Sequence, residues 1–356
     1  MKTLRLKKLL VATGIALAGL ALTPNLRAQV EIFIVGGNAS SSVLFDRATN
    51  FFNGGFTVVG GSSSQVRTYS GTNLTLTPSL GAITIDINLL GAVGGLEDLV
   101  NQTTETNASG VSLVPTVVDS STSPDAIGIN SVTANFSALP TYVVPYVFIK
   151  NNNSADTAAI TNLTQRQAQY LETATLPARF FGGASTNAIY FVGRNSQAAV
   201  RTEVDLNVYN SQTINTYFTN ALGQPVLDTG ADPGLVTGSA VTATVLVLTN
   251  SIGTVAVQNL KSGVSALSYE GVPYSAANVE SGSYPLWGYE NYYYITSPNT
   301  GHPSTAQLSV INALYASVTN AAFQVSAVYT NNFIPNSSLR VTRAFDGGPI
   351  TVLPNY

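Results

Sequence analysis

The segment "GVPYSAANVESGSYPLWGYENYYYI", residues 271–295, carries the most information about the fold of this chain. Pro273 and Pro285 mark two loops, because proline continues neither a helix nor a central strand. The tyrosine run at 292–294 favours a strand, since aromatic side chains pack well on a pleated surface. Taken alone, the segment predicts a polar loop followed by a buried strand, and a generic hydrophobic strand fits the same local pattern.

Strand-like and helix-like segments alternate along the rest of the chain. "VEIFIVGG" (30–37) predicts a strand that ends in a glycine turn, and "SVLFDRATNFF" (42–52) has the apolar spacing of a helix. "ITIDINLLGAVGGLEDLV" (83–100) and "NAIYFVGRNSQAAVRTEVDLNVY" (187–209) repeat the order strand, loop, helix. No fixed repeat period is present, which argues against a β-solenoid. The alternation predicts an α/β fold.

Three further segments complete the predicted elements. "YVVPYVFIKNN" (142–152) predicts a second buried strand, and "VTATVLVLTNSIGTVAV" (241–257) predicts two more strands from its β-branched residues. "NLTQRQAQYLET" (162–173) and "STAQLSVINALYASV" (304–318) predict helices that begin with capping boxes. The capping pairs are Thr164 with Gln167 and Ser304 with Gln307.

The segment 271–295 resembles the return crossing of the periplasmic phosphate-binding proteins that feed ABC importers, which carry a similar "GV.P" loop, "SGSYPL" turn and aromatic strand. The resemblance covers most of the chain after residue 28. It implies an α/β fold of the type II periplasmic binding-protein class, with two lobes, two crossovers and a ligand cleft between the lobes. The implied divisions are lobe 1 at 29–147 and 288–356, lobe 2 at 148–287, and crossings near 143–149 and 284–295.

In that family, four loops converge on the anion and donate hydrogen bonds from backbone N–H groups and small hydroxyl side chains. The first loop here is "GGNASSSVLF" (36–45), which is similar to the family's glycine-rich turn after the first strand. A plain helix N-cap fits the same serine and asparagine cluster. The resemblance implies ligand contacts at Asn38, Ala39, Ser40 and Ser41.

The second and third loops depart from the family pattern. The second, "GAVGGLEDL" (91–99), has Ala92 where the family usually has a serine. The third, "PDAIGINSV" (124–132), has Asn130 where the family has an aspartate, followed by Ser131. An aspartate carboxylate only accepts hydrogen bonds and so selects a protonated oxyanion, whereas an asparagine amide also donates. The resemblance implies contacts at Asn130 and Ser131 and an altered selectivity.

The fourth loop, "GRNSQAAVR" (193–201), resembles the family's "GR(D/S)xGSGTR" motif. Arg194 matches the arginine that holds the anion, although an ordinary surface arginine is the alternative interpretation. Ala198 and Val200 replace two hydroxyl donors. Each lost donor to a charged ligand is worth roughly 1.5–3 kcal/mol, so we predict weak or absent phosphate binding. The implied contacts in this loop are Arg194, Asn195 and Ser196.

Residues 1–28 have the pattern of a signal peptide: a basic start, an apolar stretch and a small residue for cleavage at Ala28. A membrane anchor is the alternative, but the apolar run is short for a span. We therefore expect a periplasmic or secreted protein. Cleavage would leave ten basic and eighteen acidic residues, a net charge of −8, which argues against nucleic acid as a partner. The basic residues that the leader contains are Lys2, Arg5, Lys7, Lys8 and Arg27.

The sequence lacks the residues that several kinds of catalytic and metal-binding site require. The chain has no cysteine and one histidine, His302, so thiolate sites, a cysteine nucleophile and a zinc cluster are excluded, and a serine triad would depend on that one histidine. No Walker loop is present. The acidic pairs Glu97–Asp98 and Glu203–Asp205 fit solvated helix positions better than a general acid and base. We expect no enzyme activity, no metal and no cofactor.

The sequence thus predicts an exported solute-binding protein that takes a small anion or polar solute, with an ABC permease as a candidate partner. We expect a monomer. The alternative is a secreted or surface protein that keeps the binding-protein fold and has lost the ligand and the transport role.

Overall fold

A computed structural model describes residues 29–62, 64–210 and 212–354. The predicted signal peptide at 1–28 lies outside the described residues. Within those residues, no helix combines the length and apolar character that a membrane crossing requires.

Strands and helices alternate through most of the chain. The strands are β1 (Val30–Gly36), β2 (Phe56–Val59), β3 (Val66–Gly71), β4 (Ile83–Asn88), β5 (Glu105–Thr106), β6 (Ser112–Leu113), β7 (Val117–Ser120), β8 (Phe136–Asn151), β9 (Asn162–Leu163), β10 (Leu176–Pro177), β11 (Ala188–Val192), β12 (Tyr217–Thr219), β13 (Pro225–Leu227), β14 (Ser251–Ala256), β15 (Val264–Ala266), β16 (Ser268–Tyr269), β17 (Trp287–Ile295), β18 (Ile334–Pro335), β19 (Val341–Arg343) and β20 (Ile350–Val352). The α-helices are α1 (Ser41–Phe51), α2 (Thr77–Leu80), α3 (Ala92–Asn101), α4 (Gln165–Thr173), α5 (Ala199–Val208), α6 (Gly238–Val247), α7 (Ala276–Glu280), α8 (Thr305–Val318), α9 (Ala321–Gln324) and α10 (Ala327–Thr330).

One long strand, β8, connects the two halves of the main sheet. The sheet has the order β10-β11-β14-β8-β17-β7-β1-β4-β3-β2, with β15 and β18 also paired to β8. The first part of β8 pairs with β17 as far as Pro145, and from Tyr146 onward β8 pairs with β14. The strand therefore leaves one half of the sheet and enters the other at Pro145 and Tyr146.

The chain returns beside this crossing. The N–H of Tyr146 donates to the carbonyl of Leu286 over 2.9 Å, and the Tyr284 hydroxyl donates to the carbonyl of Tyr146 over 2.8 Å. Strand β17 then runs antiparallel to β8 from Trp287. The predicted α/β fold with two lobes and two crossovers is confirmed. The division at residues 147 and 288 remains our proposal, and we use it below to name lobe 1 and lobe 2.

Two predicted helices begin as expected. The Thr164 and Ser304 hydroxyls each accept the backbone N–H three residues later, and the Gln167 and Gln307 side chains return a bond to the capping residue. Each box satisfies two of the amides that the first turn of a helix leaves without a partner. Both capping boxes are confirmed.

The first of the two strands predicted in 241–257 is wrong, because that stretch belongs to helix α6. Thr237 caps the helix by accepting the N–H of Ala240 over 3.2 Å. Val241 and Val245 pack onto Gly253 of β14, where an added Cβ would meet both side chains at 3.0 Å or less. The burial of the two valines against Gly253, which has no side chain, outweighs the preference of β-branched residues for a strand.

Candidate functional site

The two lobes meet around a small cavity at the carboxyl ends of the central strands. Its volume is about 20 Å³, which leaves room for about one water molecule. Four strands, β1, β7, β11 and β14, lead into it, and helices α1, α3 and α5 begin beside it. Ligands of α/β folds bind at such strand ends. The lining residues are Gly37, Asn38, Ala39, Gly91, Ala92, Ser121, Tyr146, Arg194, Ala198, Ala199, Val200, Ala256, Gln258 and Asn259.

The first predicted loop contributes two of its four predicted residues. Asn38 and Ala39 line the cavity. Ser40 is fully buried, and its hydroxyl donates to the carbonyl of Gly37 over 2.9 Å. Ser41 begins helix α1 without lining the cavity. The loop therefore faces the cleft through an amide side chain and backbone, while its serine hydroxyls act mainly within the turn.

Arg194 lines the cavity from lobe 2 and is 7 % exposed. Its Nε donates to the carbonyl of Leu235 over 2.9 Å, and its Nη2 donates to the carbonyl of Val236 over 2.6 Å. Burial lowers the pKa of the guanidinium to about 10, so it stays charged at neutral pH. Nη1 is left without a hydrogen bond among the described residues. The arginine brings a positive charge to the cleft, and much of its donor capacity serves the loop at 235–236.

The backbone amides of the two residues after Arg194 bind groups that do not line the cavity. Asn195 is buried, and its N–H donates to the carbonyl of Leu235 over 3.3 Å. The N–H of Ser196 donates to Asp232 over 2.8 Å on the protein surface. Neither residue lines the cavity.

The third predicted loop lies away from the cavity. Asn130 is exposed, and its side-chain oxygen accepts the N–H of Thr133 over 2.9 Å. The Ser131 hydroxyl donates to Asp125 over 2.5 Å. Both side chains are used in a surface turn, so the cavity gives no geometric support to the prediction that they contact a ligand.

Two residues that the sequence analysis did not predict, Ser121 and Gln258, line the cavity. Ser121 directly follows β7, and its hydroxyl accepts the Tyr146 hydroxyl over 2.6 Å. Gln258 lies in a short 3-10 turn at Val257–Asn259, after β14. Its side-chain nitrogen and oxygen are both buried and without a hydrogen-bond partner among the described residues. Each lies one or two residues beyond a buried strand, and that position was the signal that could have identified them.

Two carboxyl groups lie buried behind the first loop. Asp119 and Glu290 are each 1 % exposed or less, and their side chains lie within hydrogen-bonding reach of each other. Burial raises the pKa of Asp119 to about 7. Burial, and then the charge of Asp119, raises the pKa of Glu290 well above its usual range. The pair does not line the cavity, so the cavity surface carries one cation and no anion.

No protein-family model matches the chain, and no curated protein matches it in sequence. Solved structures do match. A protein described as a phosphate ABC transporter substrate-binding protein, with bound phosphate, from Clostridium perfringens superposes with a TM-score of 0.58 at 16 % identity, covering 86 % of this chain and 99 % of that one. An ABC-type phosphate transport receptor from Vibrio cholerae superposes with a TM-score of 0.54 at 13 % identity, covering 85 % and 99 %. The chain thus has the two-lobed α/β fold of the phosphate-binding proteins of ABC transporters.

Proposed function

We propose that this protein is an exported solute-binding protein that holds a small anion or polar solute between its lobes. The observation that carries the proposal is the interlobe cavity, where three helices begin beside a buried arginine at the ends of four strands. Helix N-termini and a guanidinium favour negative or hydrogen-bond-accepting groups. The signal peptide predicted at 1–28 supports export, and an ABC permease is the partner that the fold suggests. We propose a monomer without enzymatic activity.

Gln258 supports a polar ligand. A buried amide without a partner costs free energy, on the order of 1–3 kcal/mol for each unsatisfied group. A ligand that both accepts and donates a hydrogen bond would satisfy the Gln258 side chain. Because the closed cavity holds about one water molecule, the lobes have to separate before such a ligand enters.

Phosphate itself is expected to bind weakly. The cavity presents Ala92, Ala198 and Val200 at positions where the resemblance implies hydroxyl donors. Bound ligand stabilises a protein by about 2.7 kcal/mol at a hundredfold excess over Kd, so millimolar phosphate should leave the melting temperature nearly unchanged. A screen of oxyanions, carboxylates and neutral polar solutes by thermal shift, followed by calorimetry, tests the proposal. A low-micromolar Kd for phosphate would contradict this prediction.

Arg194 is expected to contact whichever solute the screen identifies. Arg194→Ala should weaken that solute at least tenfold, in line with about 1.5–3 kcal/mol for a charged hydrogen bond. Arg201→Ala is the matched control, because Arg201 pairs with Asp205 over 3.4 Å and does not line the cavity. Circular dichroism of the Arg194 variant checks the loop at 235–236. Equal affinity in the two variants would place the binding site elsewhere.

If no solute in the screen binds, the result favours the alternative predicted from the sequence, a protein that keeps the fold and has lost its ligand.

A further inference from the structure

Lobe 2 contacts lobe 1 at the return crossing and, separately, through helix α5 and the loop before it. We call the contacting residues Gln197, Ala199, Glu203 and Leu206 the docking strip. The Thr122 hydroxyl of lobe 1 lies 3.4 Å from the carbonyl of Ala199 and 3.3 Å from Oε1 of Glu203. Glu203 is fully buried although it carries a carboxyl group. A helix of lobe 2 therefore packs directly on lobe 1, and the cavity beside it, about 20 Å³, holds about one water molecule and no larger solute.

Gln197 occupies the start of helix α3 in lobe 1. Its backbone carbonyl accepts the N–H of Val93 over 3.2 Å. The first turn of a helix has N–H groups without partners inside the helix, and a bound anion often supplies the hydrogen-bond acceptor that they lack. Here the opposite lobe supplies the acceptor. This one hydrogen bond satisfies the Val93 amide and also connects the two lobes.

Glycines of lobe 1 make room for the docking strip. A Cβ added to Gly94 would lie 2.3 Å from Oε1 of Gln197, and one added to Gly91 would lie 3.1 Å from the Cβ of Gln197. A Cβ on Gly288 would lie 3.2 Å from the carboxyl carbon of Glu203, and one on Gly347 would lie 2.6 Å from the Cβ of Leu206. Side chains at Gly91 and Gly347 would meet Cβ and backbone atoms of lobe 2 and would hold the lobes apart, and a large side chain at Gly94 would fill the space of the Gln197 amide. At Gly288 the Ser121 carbonyl of lobe 1 lies nearer than Glu203, at 2.6 Å.

We propose that the two lobes close on each other without a solute, because the docking strip of lobe 2 fits the glycines of lobe 1 and Gln197 takes the place of a ligand at helix α3. Solute then competes with Gln197 for the start of α3. The closure depends only on the two-lobed structure, and the competition with Gln197 rests on the proposed solute binding. Lobe closure therefore stabilises a bound tetrahedral oxyanion less here than in a cleft where the N–H groups at the start of the helix have no protein acceptor.

Spin-label distances in the ligand-free protein test the proposal. The chain has no cysteine, so Asn101→Cys in lobe 1 and Val247→Cys in lobe 2 introduce one label each at exposed positions. Gly94→Leu places a side chain where the Gln197 amide lies, while leucine is a better helix former than glycine. Glu97→Leu, on the exposed face of the same helix, is the matched control. Gln197→Trp adds bulk from the lobe 2 side and covers the case in which Gly94→Leu does not fold.

The ligand-free wild type and the Glu97→Leu variant should give one common short distance. Gly94→Leu and Gln197→Trp should shift it to longer values and speed hydrogen exchange at the Val93 amide. A ligand-free wild type with the same long distance as the two bulky variants would overturn the proposal. So would bulky variants that keep the short distance. Either result leaves solute binding intact, because these measurements contain no solute.

Discussion

The free energy of unfolding is expected to fall as the pH rises from about 4 to 8, opposite to the usual acid denaturation. Burial is the largest cause of a raised pKa at eight carboxyl groups among the described residues, and two ion pairs are present there. The values reach about 6 for Asp205, about 7 for Glu105 and Asp119, and about 8 for Glu172. The eight groups are Glu31, Asp86, Glu105, Asp119, Glu172, Glu203, Asp205 and Glu290.

The sign follows from proton binding. Between the unfolded pKa of an aspartate, 3.8, and the folded pKa of about 7, the folded Asp119 holds a proton that the unfolded chain has released. The stabilising effect of that proton is complete below pH 3.8 and is lost as the pH rises through 7. Each pKa unit is worth about 1.4 kcal/mol, so Asp119 should contribute several kcal/mol to the decline, and Glu290 acts in the same direction.

Urea unfolding at pH 4.5, 6 and 8 measures this decline, and Asp119→Asn isolates its source. Asparagine keeps the shape of the side chain and stays neutral, so the variant should lose about 3 kcal/mol less than the wild type between pH 4.5 and 8. Asp46→Asn, at a partly exposed position on helix α1, is the control for the change from aspartate to asparagine. A wild type that becomes more stable toward pH 8 would refute the burial argument.

Trp287→Ala should lower the free energy of unfolding by about 3–5 kcal/mol, the usual range for a large aromatic removed from a core. Trp287 is fully buried at the return crossing. Its ring packs against Tyr289 at a centroid distance of 5.1 Å, and the Arg343 guanidinium lies 4.1 Å from the ring centre. The alanine variant leaves a cavity where the two lobes join, so both lobes should lose stability together.

Urea unfolding followed by far-ultraviolet circular dichroism measures the loss. Trp287→Phe is the control: it keeps a ring beside Arg343 and removes an indole N–H that has no partner among the described residues, so it should cost clearly less. A cost below 1 kcal/mol for the alanine variant would show that the crossing tolerates a cavity and that the core elsewhere sets the stability.

Features that depend on local spacing were predicted correctly. The capping boxes at Thr164 and Ser304 follow from a hydroxyl and a glutamine three residues apart, which requires no partner from elsewhere in the chain. Helix α6 shows where local preference fails. Its valines and threonines favour a strand in isolation, and the contact with Gly253, which decides the outcome, comes from a different segment.

The candidate site divides in the same way. Asn38, Ala39 and Arg194 were expected from the family resemblance, each follows a buried strand, and the structure brings all three to one cavity. Asn130 and Ser131 were placed by motif alignment, and their loop folds into a surface turn instead. Ser121 and Gln258 also follow buried strands, but nothing local distinguishes them from other polar residues at strand ends.

The sequence by itself determined the alternation of strands and helices and the strand ends from which a cleft would be built, because each depends on side chains close in the chain. The two crossings were expected from the family resemblance. Only the tertiary structure decided which strand ends meet and how the lobes contact each other. The approach of Gln197 to the start of α3 joins residues about a hundred positions apart, and it depends on the space above Gly91 and Gly94. Such fits arise from packing between distant segments, which no local pattern records.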